Sequence, residues 1–232
     1  MGKFLKRWLW RFLFFLVGAV LLYQLWIFGH IVYWNFYNPS TSAFMQERLD
    51  VLEKKKPGAM LHHQWVPYER ISPHLKRAII AAEDGKFLQH EGFDFEAIQK
   101  AYEKNLEQGK FVRGGSTISQ QLAKNLFLSG KKTPWRKIEE AVITLMLENV
   151  MSKRRILEIY LNKIEWGNGV FGAEAASRHY YGVSASALTA KQAARLAAMV
   201  PNPRFYDLNR NTPWLLKKTD IILNRMVSTQ IP

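Results

Sequence analysis

Two adjacent carboxylates, Glu83 and Asp84, close a run whose residue types suit proton transfer. The run opens at Ser72-Pro73, an N-cap followed by proline at the first helical position. Leu75, Ala78, Ile79 and Ala82 then recur at helical spacing, so this stripe is predicted to face a core. That places Glu83 at the edge of apolar surface, where partial desolvation raises a carboxyl pKa and suits it to act as a base near neutral pH. Gly85 and Gly92 break the chain on either side of Phe87 and His90, so the carboxylates are predicted to open onto a turn or cleft. An acidic pair alone more often merely finishes a helix. Its chemical meaning depends on partners elsewhere in the chain.

Some thirty residues downstream stands Arg113-Gly114-Gly115-Ser116-Thr117-Ile118-Ser119-Gln120-Gln121-Leu122-Ala123-Lys124-Asn125. Glycines running into Ser-Thr predict a loop that turns into a helix N-terminus, whose free N–H groups and dipole favour an anion. Gln120, Gln121 and Lys124 would project from its first turns toward phosphate or sugar hydroxyls. The Gly-Lys-Ser/Thr spacing of a Walker loop is missing. Thr133-Pro134 predicts another helix start, with a core stripe of Ile138, Val142 and Leu145. Arg136, Glu140, Thr144 and Glu148 share another of its faces; spacing alone makes Arg136 and Glu140 an ordinary ion pair.

The elements that must position these groups are predicted to be helical. Asp94 caps a helix from Phe95 to about Glu107, ended by Gly109. Lys153 to Asn162 forms another, closed by the Gly167-Asn168-Gly169 turn, and Phe171 to Tyr181 comes next as a small-residue helix. Thr189 and Gln192 form a capping box for a helix through Met199, stopped by Pro201 and Pro203. Thr212-Pro213 opens a last helix. No alternating strand-type run, internal repeat or low-complexity tract is evident.

At the N-terminus, Lys3, Lys6, Arg7 and Arg11 precede an apolar run from Phe12 to Trp34. A helix needs about 20 residues to cross a bilayer, and Trp8, Trp10, Tyr33 and Trp34 stand where aromatic belts stand. The basic flank places the N-terminus in the cytoplasm and the remainder outside it. No small-residue cleavage site is evident, which argues for an uncleaved anchor. The resulting division is a cytoplasmic N-terminus (1–11), a transmembrane anchor (12–34), a connector (35–57) and one further domain (58–232). The connector holds the loop Asn38-Pro39-Ser40-Thr41-Ser42 and the basic break Lys54-Lys55-Lys56-Pro57-Gly58.

Across 232 residues, 33 Lys and Arg outweigh 19 Asp and Glu, a formal charge of +14. Such an excess calls for an anionic partner: nucleic acid, a phosphate-bearing ligand or an acidic membrane surface. Cysteine is absent, which removes thiolate and disulfide chemistry. His62-His63 lacks partners at ligand spacing, and His90-Glu91 lacks the second histidine of a zinc motif. Ser129-Gly130-Lys131-Lys132 matches a Ser-x-x-Lys nucleophile by chance, since its partner motifs are missing.

Taken in order, Glu83-Asp84 with Phe87, His90, Gly92 and Asp94, then Gly114-Gly115-Ser116-Thr117-Ile118 with Gln120-Gln121, Arg136-Lys137 with Glu140, and Ile156-Leu157-Glu158 with Tyr160-Leu161-Asn162 resemble the peptidoglycan glycosyltransferases of glycosyltransferase family 51. The resemblance covers about residues 58 to 210 and is closest to the monofunctional form, with a short anchor and no second domain. Thr144 departs from a common alanine and Phe171 from a common tyrosine. The resemblance implies a mainly α, lysozyme-like domain with a small membrane-proximal lobe. It implies a bacterial inner-membrane enzyme, anchored by a single span with its catalytic domain in the periplasm. Such an enzyme polymerises lipid II, with inversion and release of undecaprenyl pyrophosphate.

Carried over residue by residue, Glu83 is the general base for the acceptor 4-hydroxyl and Glu140 the second carboxylate, beside the departing pyrophosphate. Lys124 and Arg136 would hold the donor's phosphates, with Lys137 beside them in the substrate-binding set. Ser116 and Gln121 would position substrate, with Asp84, Phe87, Gln120 and Asn125 completing the binding set. The resemblance allows a divalent cation, Mg or Mn, reaching Glu140 indirectly through the pyrophosphate. It leaves room for contact with cell-wall synthesis or division proteins. From Lys124 to Arg155, eight basic residues face three acidic ones, a balance that fits pyrophosphate and an anionic membrane. Three other readings compete. A lytic glycoside hydrolase also uses paired carboxylates but needs no cations around the second. A non-catalytic scaffold would tolerate loss of Glu83. Nucleic-acid binding explains only the charge and fails because the basic residues lie beyond an export signal.

Overall fold

The computed structural model describes residues 2–108, 115–130 and 133–232. Gly109, Arg113, Gly114, Lys131 and Lys132, which belong to the sequence motifs, lie outside the described residues. In chain order the helices are α1 (Lys3–Phe36), α2 (Ala43–Lys55), α3 (Pro73–Glu83), α4 (Phe95–Gln108), α5 (Ile118–Phe127), α6 (Pro134–Val150), α7 (Lys153–Lys163), α8 (Ala173–Tyr181), α9 (Ala190–Met199), α10 (Pro203–Leu208) and α11 (Pro213–Arg225). The protein is mainly α, as its sequence predicts.

Helix starts follow local side-chain chemistry. Ser72, Thr117, Thr133, Ser152, Thr189 and Thr212 each accept a hydrogen bond from an N–H of the turn they open. Thr117 with Gln120 and Thr189 with Gln192 complete reciprocal capping boxes. Asp94 accepts from Ala97 N (2.9 Å) at the head of α4. The apolar stripe of α3 packs against α9 and α11, and α5 packs against α6 and α7.

Four expectations change. Ile138 and Leu145, expected in the core stripe of α6, are exposed, and Ile143 and Leu147 are the apolar residues buried there instead. Pro203 opens α10 instead of only stopping the chain, since proline at the first helical position forfeits no hydrogen bond. The connector contains α2, capped by Ser42 and packed on α5, with Met45 and Arg48 buried. A short sheet also exists: β1 (His62–His63) runs parallel to β3 (Val170–Phe171), which pairs antiparallel with β2 (Glu165–Gly167). Strands of two or three residues are too short to show an alternating pattern. Tertiary contacts form them: Asn162, fully buried on α7, accepts from Val66 N (2.9 Å) and donates to Val66 O (3.0 Å).

The apolar helix α1 runs beyond residues 12–34 at both ends. Its N-terminal part exposes Phe4, Phe12, Phe14, Phe15 and Leu22, whereas Ile27 and Ile31 are fully buried against the domain. It packs along α6. Gly172, between β3 and α8, has φ +83°, and a Cβ there would lie 2.7 Å from the Asn162 carbonyl oxygen. Gly172→Ala is therefore expected to cost about 1–3 kcal/mol through left-handed strain and backbone overlap, read as a lowered thermal midpoint by circular dichroism.

Candidate active site

Glu83 is the last residue of α3, at the end where helix carbonyls concentrate negative charge. Its carboxylate accepts from Gln121 Nε2 (2.8 Å) on the first turn of α5. Tyr160, fully buried on α7, donates from its hydroxyl to Gln121 Oε1 (3.0 Å). This contact fixes the amide with its N–H toward Glu83. Burial raises the Tyr160 pKa well above the ordinary phenol value, aided by the charges of Glu83 and Asp84, so the hydroxyl stays protonated and able to donate.

Burial likewise raises the Glu83 pKa, as its sequence position predicts. The Gln121 hydrogen bond and the charges of Lys218 and Lys124 oppose that shift, while Asp84 adds to it. A carboxylate so balanced is a stronger proton acceptor than a solvated one. It lines a cavity of about 390 Å³ shared with Asp84, Gly115, Ser116, Arg225 and Thr229.

Glu140 is 3% exposed on α6. Arg136 Nη1 donates to its Oε2 (3.1 Å) and Lys137 Nζ pairs with Oε1. The i,i+4 ion pair predicted by spacing is present, with a second cation added. Thr144 hydrogen-bonds back to the Glu140 carbonyl (2.7 Å). The two carboxylates communicate through Lys124. Burial lowers the Lys124 pKa, Arg136 and Lys137 lower it further, and Glu140 and Glu83 pull it back up. Lys124 thus lies within electrostatic reach of both centres.

Not every expected substrate contact is free to make one. Gln120 is buried, and its side chain accepts from Thr117 N (3.0 Å), closing the capping box instead of projecting outward. Phe87 is fully buried beneath Lys153, whose ammonium lies 4.7 Å from the ring centre, so it shapes the core. Asp84 lines the cavity, but its oxygens accept from Ile118 N (3.0 Å) and pair with His90 Nε2 (2.8 Å). It ties the start of α5 to the end of α3. Ser116 is exposed at the cavity and Asn125 half-buried on α5.

Several contributors escape motif reading. Lys218, Arg225 and Thr229 lie in and just beyond α11, far from any recognisable pattern. Phe44 of α2 lies 5.6 Å below the Lys124 ammonium, and Glu47 accepts from Gly130 N (2.8 Å). The connector thus reaches the site's Lys124 through Phe44. Its only sequence signal is the Ser42 cap.

A poised base at one carboxylate and a cluster of cations at the other suit transfer of a sugar from a phosphate-bearing donor, the chemistry of a glycosyltransferase. The chain belongs to the transglycosylase family, whose model matches residues 50–227. Its domain is accordingly lysozyme-like in fold. Full-length relatives include the biosynthetic peptidoglycan transglycosylase of Nitrosospira multiformis, 72% identical over 229 residues and covering 99% of this chain and 100% of that protein. The proteins of the same name from Methylobacillus flagellatus and Laribacter hongkongensis are 65% and 66% identical, covering 98% and 97% of this chain and 100% and 99% of their own lengths.

A base at Glu83 would have to be ionised, so activity is expected to fall as pH drops through its raised pKa, giving an acid limb above the usual glutamate range. Gln121→Ala removes a donor that favours the ionised form, so the limb in kcat/KM should move to higher pH. Tyr160→Phe should move it the same way by less.

Proposed function

We propose that this peptidoglycan transglycosylase builds glycan strands by transferring a lipid-linked growing chain onto the 4-hydroxyl of lipid II. Glu83 takes the hydroxyl proton as the acceptor oxygen attacks the donor's anomeric carbon. A new carbon–oxygen bond forms with inversion, and the bond to undecaprenyl pyrophosphate breaks. Lys124, Arg136 and Lys137 face the charge that develops on the leaving pyrophosphate, where preorganised cations lower the barrier most. Glu140 acts by holding Arg136 and Lys137 in place, since both its oxygens are engaged by them. Ser116 and Gln121 orient the sugar and the base.

The observation that carries this reading is the placement of α6. The helix bearing Arg136, Lys137 and Glu140 packs against the apolar helix α1, which supports a site that meets its phosphates close to a membrane anchor. Trp135 and Ile138 are exposed on α6, and Phe95, Tyr102 and Leu106 on α4, apolar surface suited to the same bilayer. A hydrolase acting on finished glycan has no use for cations packed around its second carboxylate. The basic flank at Lys6, Arg7 and Arg11 favours a cytoplasmic N-terminus, an inner-membrane location and a periplasmic domain.

Among the described residues no group of three His, Cys, Asp or Glu could hold a metal, and cations already occupy both oxygens of Glu140. The side chains therefore do not fit a protein-held ion, and no step of this mechanism runs through one. A divalent cation would enter with the pyrophosphate itself.

Polymerisation of labelled lipid II tests the roles. Glu83→Gln is expected to lose about 10²–10⁴-fold in rate, the range of general-base catalysis. Arg136→Ala should lose about 10²–10³-fold, the scale of removing one preorganised charge partner, and chelation of magnesium less than either. Solubilised fragments from finished glycan, with no polymer from lipid II, would overturn the reading.

A further inference from the structure

The anchor helix is longer than a bilayer requires. Its 34 residues extend about 51 Å at 1.5 Å per residue, whereas about 20 residues span the hydrocarbon core. The C-terminal turns are docked on the domain: Ile27 and Ile31 are fully buried, and the Trp34 and Phe127 rings lie 5.1 Å apart. The helix therefore passes from the membrane into the domain with no flexible linker between.

Its end is held from α7. A helix finishes on carbonyls without intrahelical donors, and cations favour that end. The last turn of α1 has no basic residue of its own. Arg155 supplies the charge from across the fold. Its Nε and Nη2 donate to Trp34 O (3.0 and 2.8 Å), and Nη2 also reaches Tyr37 O (2.8 Å) and Asn38 Oδ1 (3.0 Å). Glu158 accepts from Nη1 (2.7 Å), and its other oxygen accepts from Tyr68 N (3.0 Å), which fixes the guanidinium in plane. Further along α7, the fully buried Lys163 donates to Ser40 O (3.0 Å). Burial lowers its pKa to about 8, which leaves the ammonium charged at neutral pH. Between these two residues on the same helix stands Tyr160, which sets the Gln121 amide against Glu83.

We propose that Arg155 clamps the end of the anchor to α7, with Lys163 holding the connector that follows it at Ser40, and that together they fix the tilt and depth of the active site against the bilayer, making Arg155 a positioning residue for membrane-embedded substrate. The proposal rests on the reading of a lipid-linked donor. A loose anchor would still allow catalysis on substrate that diffuses freely to the site. It would fail where the pyrophosphate is held at one depth.

The test compares Arg155→Ala, Arg155→Lys and Lys163→Met with the parent chain in two formats: long-chain lipid II in proteoliposomes, and a short-chain lipid II dispersed in detergent. Arg155→Ala is expected to lose at least ten-fold in kcat/KM in vesicles and less than two-fold in detergent. Arg155→Lys should recover part of the loss, and Lys163→Met should behave like Arg155→Ala. Equal losses in both formats, or none in vesicles, would overturn the proposal. The clamp itself is read without activity. Because the chain has no cysteine, Leu22→Cys with Lys191→Cys, both exposed sites, gives a unique spin-label pair. Its distance distribution should be narrow in the parent and broad in Arg155→Ala; an unchanged distribution sinks the clamp. Failure of the parent to polymerise lipid II in either format would sink the underlying functional reading instead.

Discussion

A carboxylate kept out of water at the negative end of a helix is the constraint on which this active site depends. Burial and the α3 dipole both disfavour a charged Glu83. Left alone, the group would hold its proton and be useless as a base at neutral pH. The surrounding structure supplies the offset from separate parts of the chain: the Gln121 amide from α5, the Tyr160 hydroxyl that aims it from α7, and the charges of Lys124 and Lys218. Much of the packing of α3 against α9 and α11, and of α5 against α7, serves to bring these groups to one point.

A second constraint comes from charge. Lys124 is a half-buried ammonium close to two other cations, an arrangement that is unfavourable unless anions compensate it. Glu140 does so within the protein, and a pyrophosphate would do so more fully. The cluster thus carries a surplus of positive charge that an anionic ligand would relieve. Helix α6, which carries most of that surplus, lies along α1. Under the proposed function, a lipid-linked anion would meet these cations next to the apolar helix.

Local chemistry was easy to read because it is written in adjacent residues. Ser72-Pro73, Ser116-Thr117, Thr133-Pro134 and Thr189 with Gln192 start helices where the sequence places them, since caps act over three or four residues. Gln120 shows the limit of such reading. It could cap the helix or project toward a ligand, and only the position of Thr117 against the Gly92 carbonyl (2.7 Å) fixes the inward choice. Phe87 and Asp84 belong to a recognisable motif, yet the fold uses one as core and the other as a tie between α3 and α5. Helix α2 lay hidden in a polar stretch because its support comes from α5, not from its own pattern.

By itself, the sequence determined the long apolar N-terminal helix, the helical class, the desolvated glutamate and the ordered motifs that mark the family. All of these stem from hydropathy, short-range caps and residue identity. Tertiary structure alone decided which of the motif side chains face the cavity and that α11 contributes Lys218 and Arg225. It also decided that Arg155 reaches more than a hundred residues back to the end of α1. Such contacts join residues with no periodic relation along the chain, and only the packing of helices against one another brings them within hydrogen-bond or Coulomb range.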